Sequence, residues 1–226
     1  MSLPPLDTIP EDKKEFLYTE RTHDAYHDKK PYTMFEIPYL KLYMGEEKTN
    51  ALLEIYEEQE KDKTRWTDWD GASEAHTDFF RERGKSPYRD RIKEILYYEI
   101  CRLREVSGMM NPYINGAWFQ KYGRGGFHSV HNHGFGYSAV AYLKFNRHKH
   151  PPTRFIAPFN DFVNGSSVEF SSHMTEREII FFPSMIHHYS PPNRCDEDKI
   201  IMSMDIKEET SWYCGTCRNN EDEEHF

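Results

Sequence analysis

Two stretches of the chain repeat their apolar residues at helical spacing. Between Glu46 and Asp62, Leu52, Leu53, Ile55 and Tyr56 stand on a charged background, which predicts a short amphipathic helix. The stronger pattern is Ile92, Ile95, Leu96, Ile100, Leu103 and Val106. Ser86 stands before it as a helix N-cap, Pro87 takes the first helical position, and Gly108 stops the run. A face this apolar needs a surface to lie on, most simply a sheet. Ahead of these, Tyr32–Met44 reads as an extended, partly buried segment, and the stretch around Trp66 and Trp69 reads as a loop.

From Asn111 the texture changes to short β-branched and aromatic runs separated by Gly, Pro, Asn and Asp. Strands are predicted at Ala117–Tyr122, Phe127–His133, Ser138–Phe145, Arg154–Ala157, Ser167–Phe170, Glu178–Phe182 and Lys199–Lys207. This predicts a mainly β fold with flanking helices, a sandwich or barrel-like roll. Four segments follow: a flexible, charged lead-in over 1–30, a helical support over 31–112, a β core over 113–208 and an acidic tail over 209–226.

Composition narrows the function. The 226 residues are 37% hydrophobic and 15% aromatic, enough for a sizeable core and unlike a disordered chain. A net charge of −9 against 29 Lys and Arg argues against binding nucleic acid through a basic surface. No run of about 18 apolar residues is present to span a membrane. The opening MSLPPLDTIPEDKKEF lacks the apolar stretch of a secretory signal, so a soluble cytoplasmic protein is expected. Cys101, Cys195, Cys214 and Cys217 are too scattered for a disulfide framework, and Cys214 and Cys217 read as reduced thiols in the tail.

Histidine carries the chemistry, since eight of the 12 fall between His128 and His188. His131 and His133 are two apart, so in a strand both imidazoles share a face and can converge on one metal. A second element, FFPSMIHHYSPPN over Phe181–Asn193, runs an apolar strand into a proline and then His187 and His188, either of which can supply a third ligand. Three neutral imidazoles suit Fe, Zn, Cu or Ni about equally. His128 faces the other way in a regular strand and is expected to pack. His148 and His150, beside Pro151 and Pro152, are expected in solvent.

The run YGRGGFHSVHNH over Tyr122–His133 resembles the strand that opens the metal site of prolyl-4-hydroxylase-like 2-oxoglutarate/Fe(II) oxygenases, bacterial and phage members in particular. SAVAYL over Ser138–Leu143 resembles that family's next core strand, and Thr153-Arg-Phe155 its T-x-F step. FPSMIHH over Phe182–His188, followed by KIIMSMD over Lys199–Asp205, resembles its distal histidine and the cation for the cosubstrate's far carboxylate. The resemblance spans Tyr113 to about Lys207. It implies a double-stranded β-helix (jelly roll) and an Fe(II)- and 2-oxoglutarate-dependent dioxygenase that uses O2 to hydroxylate an unactivated C–H of a peptidyl or small-molecule substrate.

Carried over residue by residue, the resemblance makes His131 the first metal ligand and His188 the distal one, with His187 ranked second. Lys199 stands where most members have arginine, and Tyr122 matches a tyrosine that hydrogen-bonds the cosubstrate. Tyr142 and Ser203 are lesser candidates for the same pocket, and the loops Asn146–Pro152 and Asn160–Ser166 for the substrate mouth. One departure stands out: His133 occupies the family's carboxylate position. Either the centre is held by three histidines, or Asp161 or Glu169 brings the carboxylate from elsewhere. Two rival readings keep the roll. One is a cupin-type metal protein that does not use 2-oxoglutarate and has no need of Lys199; the other is an inactive jelly-roll binding module.

Overall fold

A computed structural model describes residues 37–62, 67–68, 75–79 and 86–209. Every element named here lies within Pro38–Phe226. In chain order these are β1 (Leu40–Tyr43), α1 (Glu46–Lys61), β2 (Thr67–Asp68), β3 (His76–Thr77), α2 (Arg89–Ile95), α3 (Tyr97–Ser107), β4 (Pro112–Tyr122), β5 (His128–His131), β6 (Tyr137–Lys144), β7 (Arg154–Asn160), β8 (Ser167–Ser171), β9 (Glu178–Pro183), β10 (His188–Ser190) and β11 (Lys199–Glu208). No described helix is long and apolar enough to cross a membrane.

The strands form two antiparallel sheets. The larger has the order β1-β9-β6-β11-β4-β3-β2, the smaller β5-β10-β7-β8. Side chains alternate across a strand, and in the large sheet both faces are buried. On β4, β6, β9 and β11, one set (Ala117, Phe119, Ala139, Ala141, Ile179, Phe181, Met202, Met204) joins a core with Leu52, Ile55, Ile92, Leu96 and Leu103 of the helical segment. The alternate set (Tyr122, Val140, Tyr142, Ile180, Phe182, Ile201) packs with Phe155 of the small sheet. The helices thus cover one face of the large sheet, and the second core lies on the other.

The predicted single helix is two. Leu96 leaves the helical region at φ −100°, ψ 19°, yet the hydrogen bonds Leu96 N–H to Ile92 O and Ile100 N–H to Leu96 O bridge the bend. Ile92, Leu96 and Leu103 therefore stay on the core face. Ser86 does not cap this helix: Tyr88 is the N-cap residue, with no side-chain cap, and the Ser86 hydroxyl is buried without a partner among the described residues. The first turn is closed instead by the backbone bond from Arg89 N–H to Ser86 O. Gly108 ends α3 in the left-handed region at φ 75°, as its glycine predicts. Of the extended segment predicted at Tyr32–Met44, Leu40–Tyr43 forms a strand on the edge of the large sheet, and 32–36 lie outside the described residues. Trp66, Trp69, Cys214 and Cys217 also lie outside them.

Candidate metal centre

The turn after β4 sets the first two histidines. Gly125, at φ 85°, gives its N–H to Asn193 O, and Asn193 gives its own N–H to Gly126 O. The buried Asn193 side chain also donates to Tyr122 O at 3.0 Å and to Glu197 O at 2.8 Å. The glycine turn is thereby pinned to the loop after β10, and β5 pairs with β10 so that His131 and His188 are direct antiparallel partners. His133 lies beyond the end of β5, with its N–H on Ser184 O at 2.9 Å. One ligand atom from each of His131, His133 and His188 lies within 4.8 Å of the other two.

The proton positions follow from the partners. His131 Nδ1 lies 2.8 Å from Ser129 O, and His188 Nδ1 lies 2.9 Å from Ile186 O. A carbonyl can only accept, so each Nδ1 carries the hydrogen and each Nε2 keeps its lone pair. His133 Nδ1 faces Asp205 Oδ1 at 3.1 Å, a contact that favours the same tautomer because a ring lone pair there would be repelled by the carboxylate. Burial, the largest cause, lowers the pKa of His131 and pushes His188 down to about 2. Both imidazoles are therefore neutral at ordinary pH, the form a metal requires. The chemistry of this donor set fits a divalent transition ion.

Asp161 and Glu169 do not join the group. Asp161 accepts from Val163 N and Asn164 N in the exposed turn between β7 and β8, and Glu169 accepts from the Tyr189 hydroxyl. His187 is exposed and is bonded to Asn132 Nδ2 at 3.1 Å.

His128 stacks on His131 with ring centroids 4.0 Å apart and planes 12° apart. Its Nδ1 accepts from Gln120 Nε2 at 3.1 Å, and Gln120 Oε1 accepts from Ser203 at 3.0 Å. Desolvation holds His128 down to about 3. Trp118 stacks against His133, with centroids 5.7 Å apart, and its indole N–H is buried with no acceptor among the described residues. These groups line a narrow pocket of about 30 Å³ together with Tyr122, Thr153 and Ser190.

Beside that pocket lies Lys199, 1% exposed. Its ammonium donates to Ser190 Oγ at 2.6 Å and Pro151 O at 3.2 Å, and sits 4.5 Å from the centre of the Tyr122 ring. No carboxylate of the described residues pairs with it, and burial pulls its pKa down to about 7. Tyr142 donates to Thr153 Oγ1 and accepts from Thr153 N, both at 3.0 Å, and burial pushes its hydroxyl up to about 12. His150 is not the solvated residue expected: it is buried, bonded to Asn146 N and Glu197 O at 3.0 Å. With Pro151 on Lys199, part of the 146–152 loop is internal packing.

Trp118, Gln120 and Asp205 were not singled out by the sequence reading. The signal available was strand parity. Trp118 and Gln120 share a face with Tyr122 on β4, and Asp205 shares one with Lys199 and Ser203 on β11.

These two antiparallel sheets with flanking helices form a 2-oxoglutarate/Fe(II)-dependent oxygenase-like fold. No protein-family model and no curated protein matches the sequence. Among solved structures, the chain is similar to a prolyl-4-hydroxylase from Pseudomonas putida, at 13% identity and a TM-score of 0.53, over 76% of this chain and 93% of that one. It is similar to the non-heme α-ketoglutarate-dependent carbocyclase SnoK of nogalamycin biosynthesis, at 11% identity and a TM-score of 0.58, over 89% and 85%. A third is HygX from Streptomyces hygroscopicus, solved with nickel, 2-oxoglutarate and hygromycin B, at 9% identity and a TM-score of 0.53, over 77% and 84%. At these identities the likeness is one of fold.

Proposed function

We propose that this chain is an Fe(II)- and 2-oxoglutarate-dependent oxygenase on a double-stranded β-helix, hydroxylating a C–H bond of a peptidyl or small organic substrate. In this reading residues 113–208 form the catalytic core and 31–112 its helical support. One observation carries it: a buried ammonium with no carboxylate partner among the described residues stands beside the same pocket that three metal-ready imidazoles line. A buried cation of this kind is costly unless an anion arrives to pair with it. A dicarboxylic cosubstrate supplies that anion, whereas a cupin-type centre leaves Lys199 without a purpose.

His131, His133 and His188 would hold the iron through Nε2, with Nδ1 of His131 and His188 on Ser129 O and Ile186 O and Nδ1 of His133 facing Asp205. When bound, the iron and its keto-acid cosubstrate supply O2 activation coupled to decarboxylation. Lys199 takes the far carboxylate of the cosubstrate as a point charge, with Ser190, Tyr122 and Thr153 as neighbouring hydroxyl groups. Tyr142 holds Thr153 from behind. The unpaired Trp118 N–H beside His133 is a donor for a substrate oxygen.

The test is an anaerobic titration of the metal-free protein with Fe(II) and then 2-oxoglutarate, followed in the visible. A weak charge-transfer band that is present for wild type and fades in Lys199→Ala supports the reading. Bound iron without any such band refutes the cosubstrate.

A further inference from the structure

We infer that Asp205 is a positioning residue for the metal centre. It faces the Nδ1 edge of His133 and supplies, from behind the imidazole, the negative charge that a ligating carboxylate would bring. The inference rests on the three-histidine centre of the proposed function. It starts from an asymmetry: His131 and His188 give their Nδ1 protons to neutral main-chain carbonyls, whereas Nδ1 of His133 lies 3.1 Å from a carboxylate oxygen. The imidazole that stands where the resemblance expects a carboxylate is the one of the three with an anion behind it.

The arrangement is built from several elements. Asp205 sits on β11 opposite Gly116 of β4 and Ser138 of β6. Ser138 donates to Asp205 Oδ1 at 3.2 Å and shares a hydrogen bond with Ser184 at 2.9 Å. Ser184 O in turn holds the His133 N–H, Lys207 donates to His133 O at 3.3 Å, and Trp118 stacks on the ring. The backbone and the ring plane of His133 are each held by a different neighbour, and its Nδ1 edge faces the carboxylate. A carboxylate behind a ligating imidazole orients the ring and raises its basicity toward the metal. This centre therefore keeps the charge of a two-histidine, one-carboxylate site while coordinating through nitrogen alone.

Co(II) is the probe, added to the full chain and measured by competition with a chelating dye. Asp205→Asn keeps the shape and removes the charge, and is expected to weaken Co(II) binding by about 10–100-fold. In a His133→Asp background the same substitution should cost nothing, because the charge has moved into the ligand set. Proton spectra of the Co(II)-loaded protein give a readout that a purely structural role would not move. Three far-shifted exchangeable ring N–H signals are expected, of which Asp205→Asn displaces one. If Asp205→Asn fails to fold, Asp205→Glu against Asp205→Gln isolates the charge at equal length, with Glu the tighter. Wild-type affinity in Asp205→Asn, or an equal loss in both backgrounds, overturns the inference. Wild type binding no Co(II) overturns it together with the metal site. Co(II) behaviour as expected, without a 2-oxoglutarate band, leaves it standing and removes only the cosubstrate.

Discussion

Replacing Lys199 by Met, similar in length and without charge, should move cosubstrate binding and folding stability in opposite directions. In the ligand-free protein the ammonium is fully buried and its pKa is pulled from 10.5 down to about 7 by desolvation. The unfolded chain keeps its proton up to the ordinary lysine value, while the folded chain releases it above about 7. Between these values the unfolded state binds more protons, so wild-type stability rises with pH. The slope is about 1.4 kcal/mol per pH unit, or roughly 2 kcal/mol from pH 7.5 to 9. That window lies above the histidine range and below the tyrosines. Urea unfolding at the two pH values should give this gain for wild type and none for Lys199→Met. At pH 7.5 the variant should be the more stable, less what it loses in the bonds to Ser190 and Pro151. With metal present, 2-oxoglutarate should bind the variant about 10–100-fold more weakly, from the roughly 1.5–3 kcal/mol of a charge-assisted hydrogen bond. Binding to wild type should weaken as pH rises past the folded pKa. Equal cosubstrate affinity in the two proteins, or a variant less stable than wild type across the window with the slope unchanged, would refute the reasoning.

Three further outcomes are expected. Ni(II) at about 100 times its Kd should raise the unfolding free energy by about 2.7 kcal/mol, an increment that His131→Ala and His188→Ala should each remove in a thermal melt. In the presence of chelator, stability should fall as pH drops below about 6.5. There the unfolded histidines protonate while buried His128 and His188 stay neutral, down to about 3 and 2. Each contributes roughly 2 kcal/mol between pH 6.5 and 5, so urea midpoints of His128→Phe should show a shallower acid slope. Gly136→Ala should cost about 1–3 kcal/mol in urea unfolding, because Gly136 sits at φ +93° and an added Cβ would meet Ile206 O at 2.4 Å.

The helix-then-sheet order was legible because apolar periodicity and glycine stops are local signals. What was lost was non-local or lacked its own pattern. The bend at Leu96 carries no proline or glycine and keeps its hydrogen bonds, so a continuous helix reads the same. β10 is three residues among prolines and exists through its pairing with His131 and Phe155. With both faces of the large sheet buried, β11 reads as one apolar run. Its polar residues Lys199, Ser203 and Asp205 nevertheless fall on alternate positions, and that parity was the available sign of a site. The spacing of His131 and His133 suggested a shared face, but the structure joins them differently, with His131 closing β5 and His133 held beyond it by Ser184 and Asp205.

The charges explain why a histidine can stand at position 133 without emptying the site of its purpose. The three imidazoles are ligands without charge, so a divalent ion held by them alone keeps its full charge. A dianionic cosubstrate would neutralise that ion but leave the buried Lys199 uncompensated. Asp205 supplies the missing negative charge one imidazole away, and with metal and cosubstrate in place the four groups together carry none. Without ligands the buried Lys199 ammonium has lost its hydration with nothing to replace it, and this desolvation is why it gives up its proton so readily. Losing Asp205 should therefore hurt the loaded site more than the empty one, whereas losing Lys199 relieves the empty site and damages the loaded one.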